Sequence, residues 1–228
     1  MTRDDPPLII GRRYRGPDES GNGGYTAGLV AGYVAGPAAE VTLRVPPPLD
    51  TPLSVRPEKD GVEVYEGTTL VATARPVTVT DGVVPPVDFD LATEVSKDYP
   101  GFMAHAFPRC FVCGPERAAG DGMRLFPGRL PDGRTATPWT VPDEIAPPLV
   151  WAALDCPGGW SVGIEARPYV LGRLAVHLDT LPAPDSRCVI MGATIGIQGR
   201  KADVAATLYG PDGDILTRSR ATWIALPT

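Results

Sequence analysis

Two short stretches hold the residues whose types and spacing could do chemistry. One opens Gly21-Asn22-Gly23-Gly24-Tyr25 and runs on as an apolar segment to Tyr33. The other runs from Pro147-Pro148-Leu149-Val150-Trp151 to Leu154-Asp155. With Gly23 set on Pro147, Ala31 falls opposite Asp155. A helix start presents unpaired N–H groups and the positive end of the dipole, which suits an oxyanion developing on a carbonyl. Gly23 and Gly24 would let a substrate approach that backbone closely. Proline has no N–H, so Pro147 and Pro148 remove the donors from the second start, although prolines also suit a helix start on structural grounds alone. The first stretch has donors and no acid, the second an acid and no donors. One composite site is expected.

Each residue has a plainer reading too. Asp155 sits among Trp151, Leu154 and Trp160, where a carboxylate is costly unless it is paired or solvated by a cleft. It is read as the catalytic carboxylate, with a structural cap or hydrogen bond to a neighbouring loop as the alternative. Asn22 is a natural N-cap, a role compatible with orienting a substrate. Cys110-x-x-Cys113, with His105 upstream and Cys156 elsewhere, has the makings of a four-ligand zinc site. A strong zinc signature carries a second paired motif, and this sequence has none. The cysteines therefore read as buried thiols or a turn motif, and no metal or cofactor is expected. His177 reads as a cross-strand or surface residue. Arg12, Arg13, Arg15, Arg109 and Arg117 could meet phosphates, but scattered arginines usually solvate a surface. No nucleophile elbow of the serine hydrolases is present.

The elements that would position these groups follow from turn and apolar patterning. Residues 8–15 read as a short strand. A helix spans about Gly23 to Ala35, with glycines at 24, 28, 32 and 36 along one face. Each interior glycine costs about 1 kcal/mol relative to alanine, so this helix should be buried where close backbone approach is needed. Strands are expected over Glu40–Val45, Leu53–Pro57, Val62–Tyr65 and Leu70–Val79. Residues 80–109 form an irregular connector. Strands near Met123–Phe126 and Arg134–Val141 precede a second helix from about Pro148 to Gly163. Four more strands follow, near Leu171–Asp179, Arg187–Ile197, Ala202–Tyr209 and Ile215–Ala225. Each half thus reads as a helix and then four antiparallel strands, an internal duplication with a sheet curled around a helix.

The composition agrees. The 228 residues are 43% hydrophobic, enough to bury a core, and 27 prolines with 26 glycines suit many short strands joined by turns. A net charge of −6 with no basic cluster beyond Arg12-Arg13-Tyr14-Arg15 argues against a nucleic-acid partner. No apolar run reaches membrane-spanning length, and the N-terminus does not read as a signal peptide. A cytoplasmic protein with four reduced cysteines is expected.

The order of elements, the Asn22-Gly23-Gly24 helix start and the acid eight residues beyond the second start resemble the hotdog-fold thioesterases. In their motif a His- or Asn-Gly-Gly precedes the central helix, and an Asp or Glu lies two turns in. Cys110-Phe111-Val112-Cys113-Gly114 followed by Gly122-Met123-Arg124-Leu125 is similar to a segment opening the hotdog unit of single-domain acyl-CoA thioesterases. The resemblance implies an α+β double hotdog, with two antiparallel curved sheets, each wrapping a central helix, as an intrachain pseudo-dimer. Residues 1–80 and 110–228 would be the halves and 81–109 the connector. It further implies hydrolysis of an acyl-CoA or acyl-carrier thioester. Asp155 would be base or nucleophile, Gly23 and Gly24 would support the carbonyl oxygen, and Asn22 would orient the substrate or the helix start. Tyr25 and Trp151 would line the acyl tunnel. The alternative is a non-catalytic acyl-thioester or lipid-binding protein on the same scaffold. No membrane partner is expected, and a homodimer of the pseudo-dimer is compatible.

Overall fold

The computed structural model describes residues 7–227. Its first half holds helix α1 (Gly23–Ala31) and strands β1 (Ala38–Leu43), β2 (Ser54–Glu58), β3 (Gly61–Glu66) and β4 (Thr69–Pro76). Helix α2 (Phe89–Ser96) and the short strands β5 (Gly128–Arg129) and β6 (Thr135–Thr140) follow. Helix α3 (Pro147–Trp160) then leads into β7 (Tyr169–Leu178), β8 (Arg187–Gln198), β9 (Lys201–Tyr209) and β10 (Ile215–Ala225).

All ten strands join one antiparallel sheet in the order β2-β3-β4-β1-β7-β10-β9-β8-β6-β5. Outward from the β1–β7 seam the order is the same on both sides: first, fourth, third and second strand after each helix. The seam is a ladder from Ala38 opposite His177 to Thr42 opposite Arg173. Alternation along the strands sends one set of side chains to α1 and α3 and the other set outward. On β8, Cys188 and Ile190 join the main core, while Val189 and Met191 face a smaller apolar cluster under α2.

Glycine controls how α1 meets α3. A Cβ on Gly24 would lie 2.5 Å from Asp155 Cβ and 2.8 Å from the Trp151 carbonyl oxygen. A Cβ on Gly28 would lie 2.6 Å from Pro148 Cα. The two helices therefore run antiparallel at near backbone contact. Gly32 and Gly36 do not share this contact, because the helix ends before them and Gly36 has a φ of +100°. Helix α1 is thus shorter than the apolar run suggests, and α3 likewise stops at Trp160, before the left-handed Gly163.

Three expected elements differ. Residues 8–15 are not a strand: Leu8 and Arg15 make isolated bridges to Leu53 and Gly21, and Arg12–Tyr14 is a 3-10 turn. The Arg12 N–H bonds Asp50 Oδ1 at 2.9 Å, which takes it out of any ladder. Met123–Phe126 is not a strand either, because Arg124 sits at φ +52°. That segment instead pairs with the cysteine turn, Met123 N to Phe111 O at 2.9 Å and Leu125 N to Val112 O at 2.8 Å. The connector is not irregular throughout. Asp88 caps α2 by accepting from Leu91 N at 2.7 Å, and Ala92 is buried in the cluster beneath it.

The helix contact leads to a stability prediction. Gly24→Ala or Gly28→Ala should each destabilise by about 1–3 kcal/mol through forced backbone and side-chain shifts. Gly196→Ala, which meets nothing within 4 Å, should change stability by less than about 0.5 kcal/mol. Urea denaturation of the three variants would measure this ordering.

Candidate active site

The α1 N-terminus is built around Asn22. Its Oδ1 accepts from Tyr25 N at 2.8 Å, which caps the helix and, since a backbone N–H can only donate, fixes which side-chain atom is oxygen. Its Nδ2 then faces two acceptors, Asp155 Oδ2 at 3.4 Å and Cys110 Sγ at 3.7 Å. The residue's own N–H bonds Tyr14 O at 2.7 Å, and Gly21 N bonds Pro47 O at 2.9 Å, so the approach to the helix is held from both sides.

Asp155 reaches this helix start from the middle of α3. Its Oδ2 accepts from Gly24 N at 2.9 Å. The residue is 1% exposed, and its Oδ1 has no hydrogen-bond partner. Burial pushes the carboxyl up to about 7, against the opposing pull of the Gly24 N–H. Such a group can exchange a proton near neutrality. Gly24 N is already engaged by Asp155, Tyr25 N by the Asn22 side chain and Thr26 N by Asn22 O. Among the described residues, the Gly23 N–H is the donor of this first turn left without a partner.

Asn22, Gly23 and Asp155 line a cavity of about 540 Å³ whose walls include Leu43, Leu171 and Trp223. The structure thus brings together Asn22, Gly23, Gly24 and Asp155 from segments 131 residues apart. Tyr25 and Trp151 stand elsewhere. Tyr25 stacks on Tyr14 with ring centroids 3.8 Å apart, and Trp151 packs under Gly28 in the helix contact. Neither is among the residues that line the cavity. The aromatic character read as tunnel lining is spent on holding the helices and the N-terminal loop.

Cys110, Cys113, Cys156 and His105 also line the cavity. The three sulfurs lie within 4.8 Å of one another, and all three residues are buried. Hydrogen bonds from Cys113 and Cys156 hold the Cys110 thiol well below its ordinary value. The Cys113 thiol is raised by burial, and Cys156 is raised by its bond to Cys110. His105 Nε2 is 3.4 Å from Cys113 Sγ, and burial lowers its ring below the usual histidine value. Sequence spacing found the Cys110–Cys113 pair. The third thiol arrives through α3, which no local motif announces.

Arg12, Arg109 and Arg117 serve structure. Arg117, 7% exposed, binds Arg13 O at 2.6 Å and Arg109 O at 2.8 Å and ties the cysteine turn to the N-terminal loop. Arg109 pairs with Asp18 and Arg12 with Asp50. His177 stands opposite Ala38 on the seam, with its Nδ1 3.1 Å from Arg218 Nη2 of β10, a cross-strand setting, and it is not among the residues that line the cavity.

No protein-family model matches the chain, and no curated protein matches it. Solved structures do. A protein of unknown function with a hot dog fold from Alicyclobacillus acidocaldarius is 14% identical, with a TM-score of 0.61 over 100% of this chain and 96% of that one. A provisionally named thioesterase from Novosphingobium aromaticivorans is 12% identical, with a TM-score of 0.62 over 100% and 98%. The tesB protein of Mycobacterium avium subspecies paratuberculosis is 10% identical, with a TM-score of 0.56 over 92% and 89%. At such identities the likeness speaks for architecture and not for chemistry. Together with the antiparallel sheet and its helices, it shows that this chain has the hotdog fold.

Proposed function

We propose that the protein hydrolyses an acyl thioester, acyl-CoA or acyl-carrier bound, at one composite site between two hotdog halves of a pseudo-dimer. Residues 1–80 and 110–228 are the halves and 81–109 the connector. The observation that carries this reading is the buried Asp155 carboxyl seated on the α1 N-terminus with Oδ1 free, inside a cavity large enough for an acyl chain. The repeated strand order on either side of the β1–β7 seam supports the two halves. Full-length likeness to solved structures, one of them a provisionally named thioesterase, supports the scaffold on which this reaction would run.

In this reading the thioester carbonyl oxygen accepts from the Gly23 N–H, with the helix dipole behind it. Gly24 N–H and the Asn22 amide hold Asp155 Oδ2, which leaves Oδ1 to take a proton from water or to attack the carbonyl carbon. In the first case the water oxygen bonds the carbonyl carbon, and as the tetrahedral intermediate collapses the carbon–sulfur bond breaks and the proton on Asp155 Oδ1 passes to the leaving thiolate. In the second the thiolate departs to leave an acyl-aspartyl anhydride, which a water cleaves to the free acid and the Asp155 carboxylate while its proton goes to the thiolate. The mirror position lacks both parts: α3 begins with Pro147 and Pro148, and Ala31 stands where an acid would be. It should be inert.

A second reading rests on one observation. Asp155 itself occupies the Gly24 donor, so a single N–H of the helix start remains for a carbonyl. A site with that single donor could bind a thioester without turning it over.

Release of free thiol from acyl-CoA thioesters of graded chain length separates the two. Asp155→Asn should lower kcat on the best substrate by about 10²–10⁴-fold, the range for a positioned acid–base group, with an unchanged far-UV spectrum. Full activity in that variant would sink the hydrolase assignment, and wild-type protein that binds but never releases thiol would support the binding reading. Asn22→Ala should cost about 1 kcal/mol of stability from the lost cap and also reduce kcat, because Asp155 loses a donor. Denaturant midpoints and turnover measured on the same preparation would check both effects.

A further inference from the structure

We propose that Cys110, Cys113 and Cys156 bind a divalent cation of the zinc type through three thiolates, leaving a fourth position to water or a ligand from the cavity. The sequence lacks a second cysteine pair, which is why no metal is expected from spacing alone. The fold supplies the third thiol from α3, and the three sulfurs gather within 4.8 Å of one another. Tetrahedral zinc with Zn–S of about 2.3 Å places its sulfurs roughly 3.8 Å apart, so small side-chain adjustments suffice.

Three features distinguish the cluster from thiols that merely fill a core. First, the Cys110–Cys113 turn is tightly specified. Gly114 follows it with N bonded to Cys110 O at 2.9 Å, and a Cβ there would lie 2.5 Å from that same oxygen. Second, polar donors are aimed at two of the sulfurs: Asn22 Nδ2 at Cys110 and His105 Nε2 at Cys113. Apolar filler needs no donors, whereas metal-bound thiolates gain from them. Third, the turn is anchored on both flanks, by Phe111 N to Arg15 O at 2.8 Å and by the Met123 and Leu125 amides.

His105 completes the arrangement without being a ligand. Its Nδ1 accepts the Phe107 N–H at 3.0 Å, so the neutral ring carries its proton on Nε2 and offers it to Cys113 Sγ. A protonated Nε2 cannot coordinate. On binding, the cation displaces the three thiol protons to solvent. It would then clip the 110–113 turn to α3 one residue from Asp155, and it would set a Lewis-acidic centre in the cavity wall.

The metal content of the intact, reduced protein tests this independently of any thioesterase assay. After anaerobic exposure to Zn²⁺ and removal of excess, elemental analysis should give close to one zinc per chain. Replacement with Co²⁺ should give intense thiolate-to-cobalt charge-transfer absorption. Cys156→Ser should lose the band. Cys188→Ser should keep it, because that buried thiol sits on β8 beside Ser186, outside the cluster. His105→Ala should keep the stoichiometry while weakening affinity by about 10–100-fold, as expected for a donor to a ligand. Wild-type protein with neither zinc nor the cobalt band overturns the proposal, and so does loss of the band in Cys188→Ser. Complete loss in His105→Ala overturns the three-thiolate assignment. If Cys156→Ser does not fold, the wild-type zinc ratio and cobalt spectrum decide alone.

Discussion

The near contact of two helix backbones at Gly24 and Gly28 governs the rest of the molecule. Helices in ordinary packing lie 8–10 Å apart, separated by side chains. Here the absence of two β-carbons lets the α1 start reach the middle of α3, and a carboxyl that would otherwise be stranded among tryptophans meets a backbone N–H. The antiparallel direction matters as much as the distance. It sets the donor end of α1 beside the Asp155 turn of α3, and the proline end of α3 beside the part of α1 that carries no acid. One end of the helix pair becomes polar and lines a cavity. The other carries prolines and no acid and faces solvent, with Gly32, Tyr33 and Pro147 exposed.

That contact also explains why so much of the remaining chain converges on the first turn of α1. The loop before it is held through Asn22 N to Tyr14 O, the cysteine turn through Phe111 N to Arg15 O, and Arg117 joins the two from below. A buried carboxyl without a cation partner is expensive, and the surrounding donors offset part of that cost. The cost is not removed entirely: Oδ1 stays unpartnered and the carboxyl is pushed upward. Residual frustration of this kind is where reactivity is usually found.

Much of this was legible in the sequence, and the boundary between what was and what was not has physical causes. The four strands after each helix are marked by turns and alternation, and they occur close to their expected limits. The paired helix starts were legible because glycine, asparagine and proline have strong backbone consequences. Arg124 and its positive φ were not, since nothing in a short apolar run announces a left-handed residue. Residues 8–15 look extended, yet Asp50, distant in sequence, claims the Arg12 amide. Helix α2 had a readable cap at Asp88 but only eight residues, too short to stand out after Pro85-Pro86. At the site, Asn22, Gly23, Gly24 and Asp155 were readable as types needing one another. Tyr25 and Trp151 could not be assigned a side of their helices without knowing which face meets the partner. Cys156 carried no local signal at all.

The β1–β7 ladder has a consequence for how such a chain can be divided. It joins the strands that follow α1 to those that follow α3 by main-chain hydrogen bonds rather than by side chains that could be exchanged for polar ones. A fragment ending in the connector would present the β1 edge as a row of unsatisfied amides and carbonyls, and the complementary fragment would present β7 in the same state. Each would be sticky toward copies of itself. Covalent continuity keeps the matching edge at high local concentration.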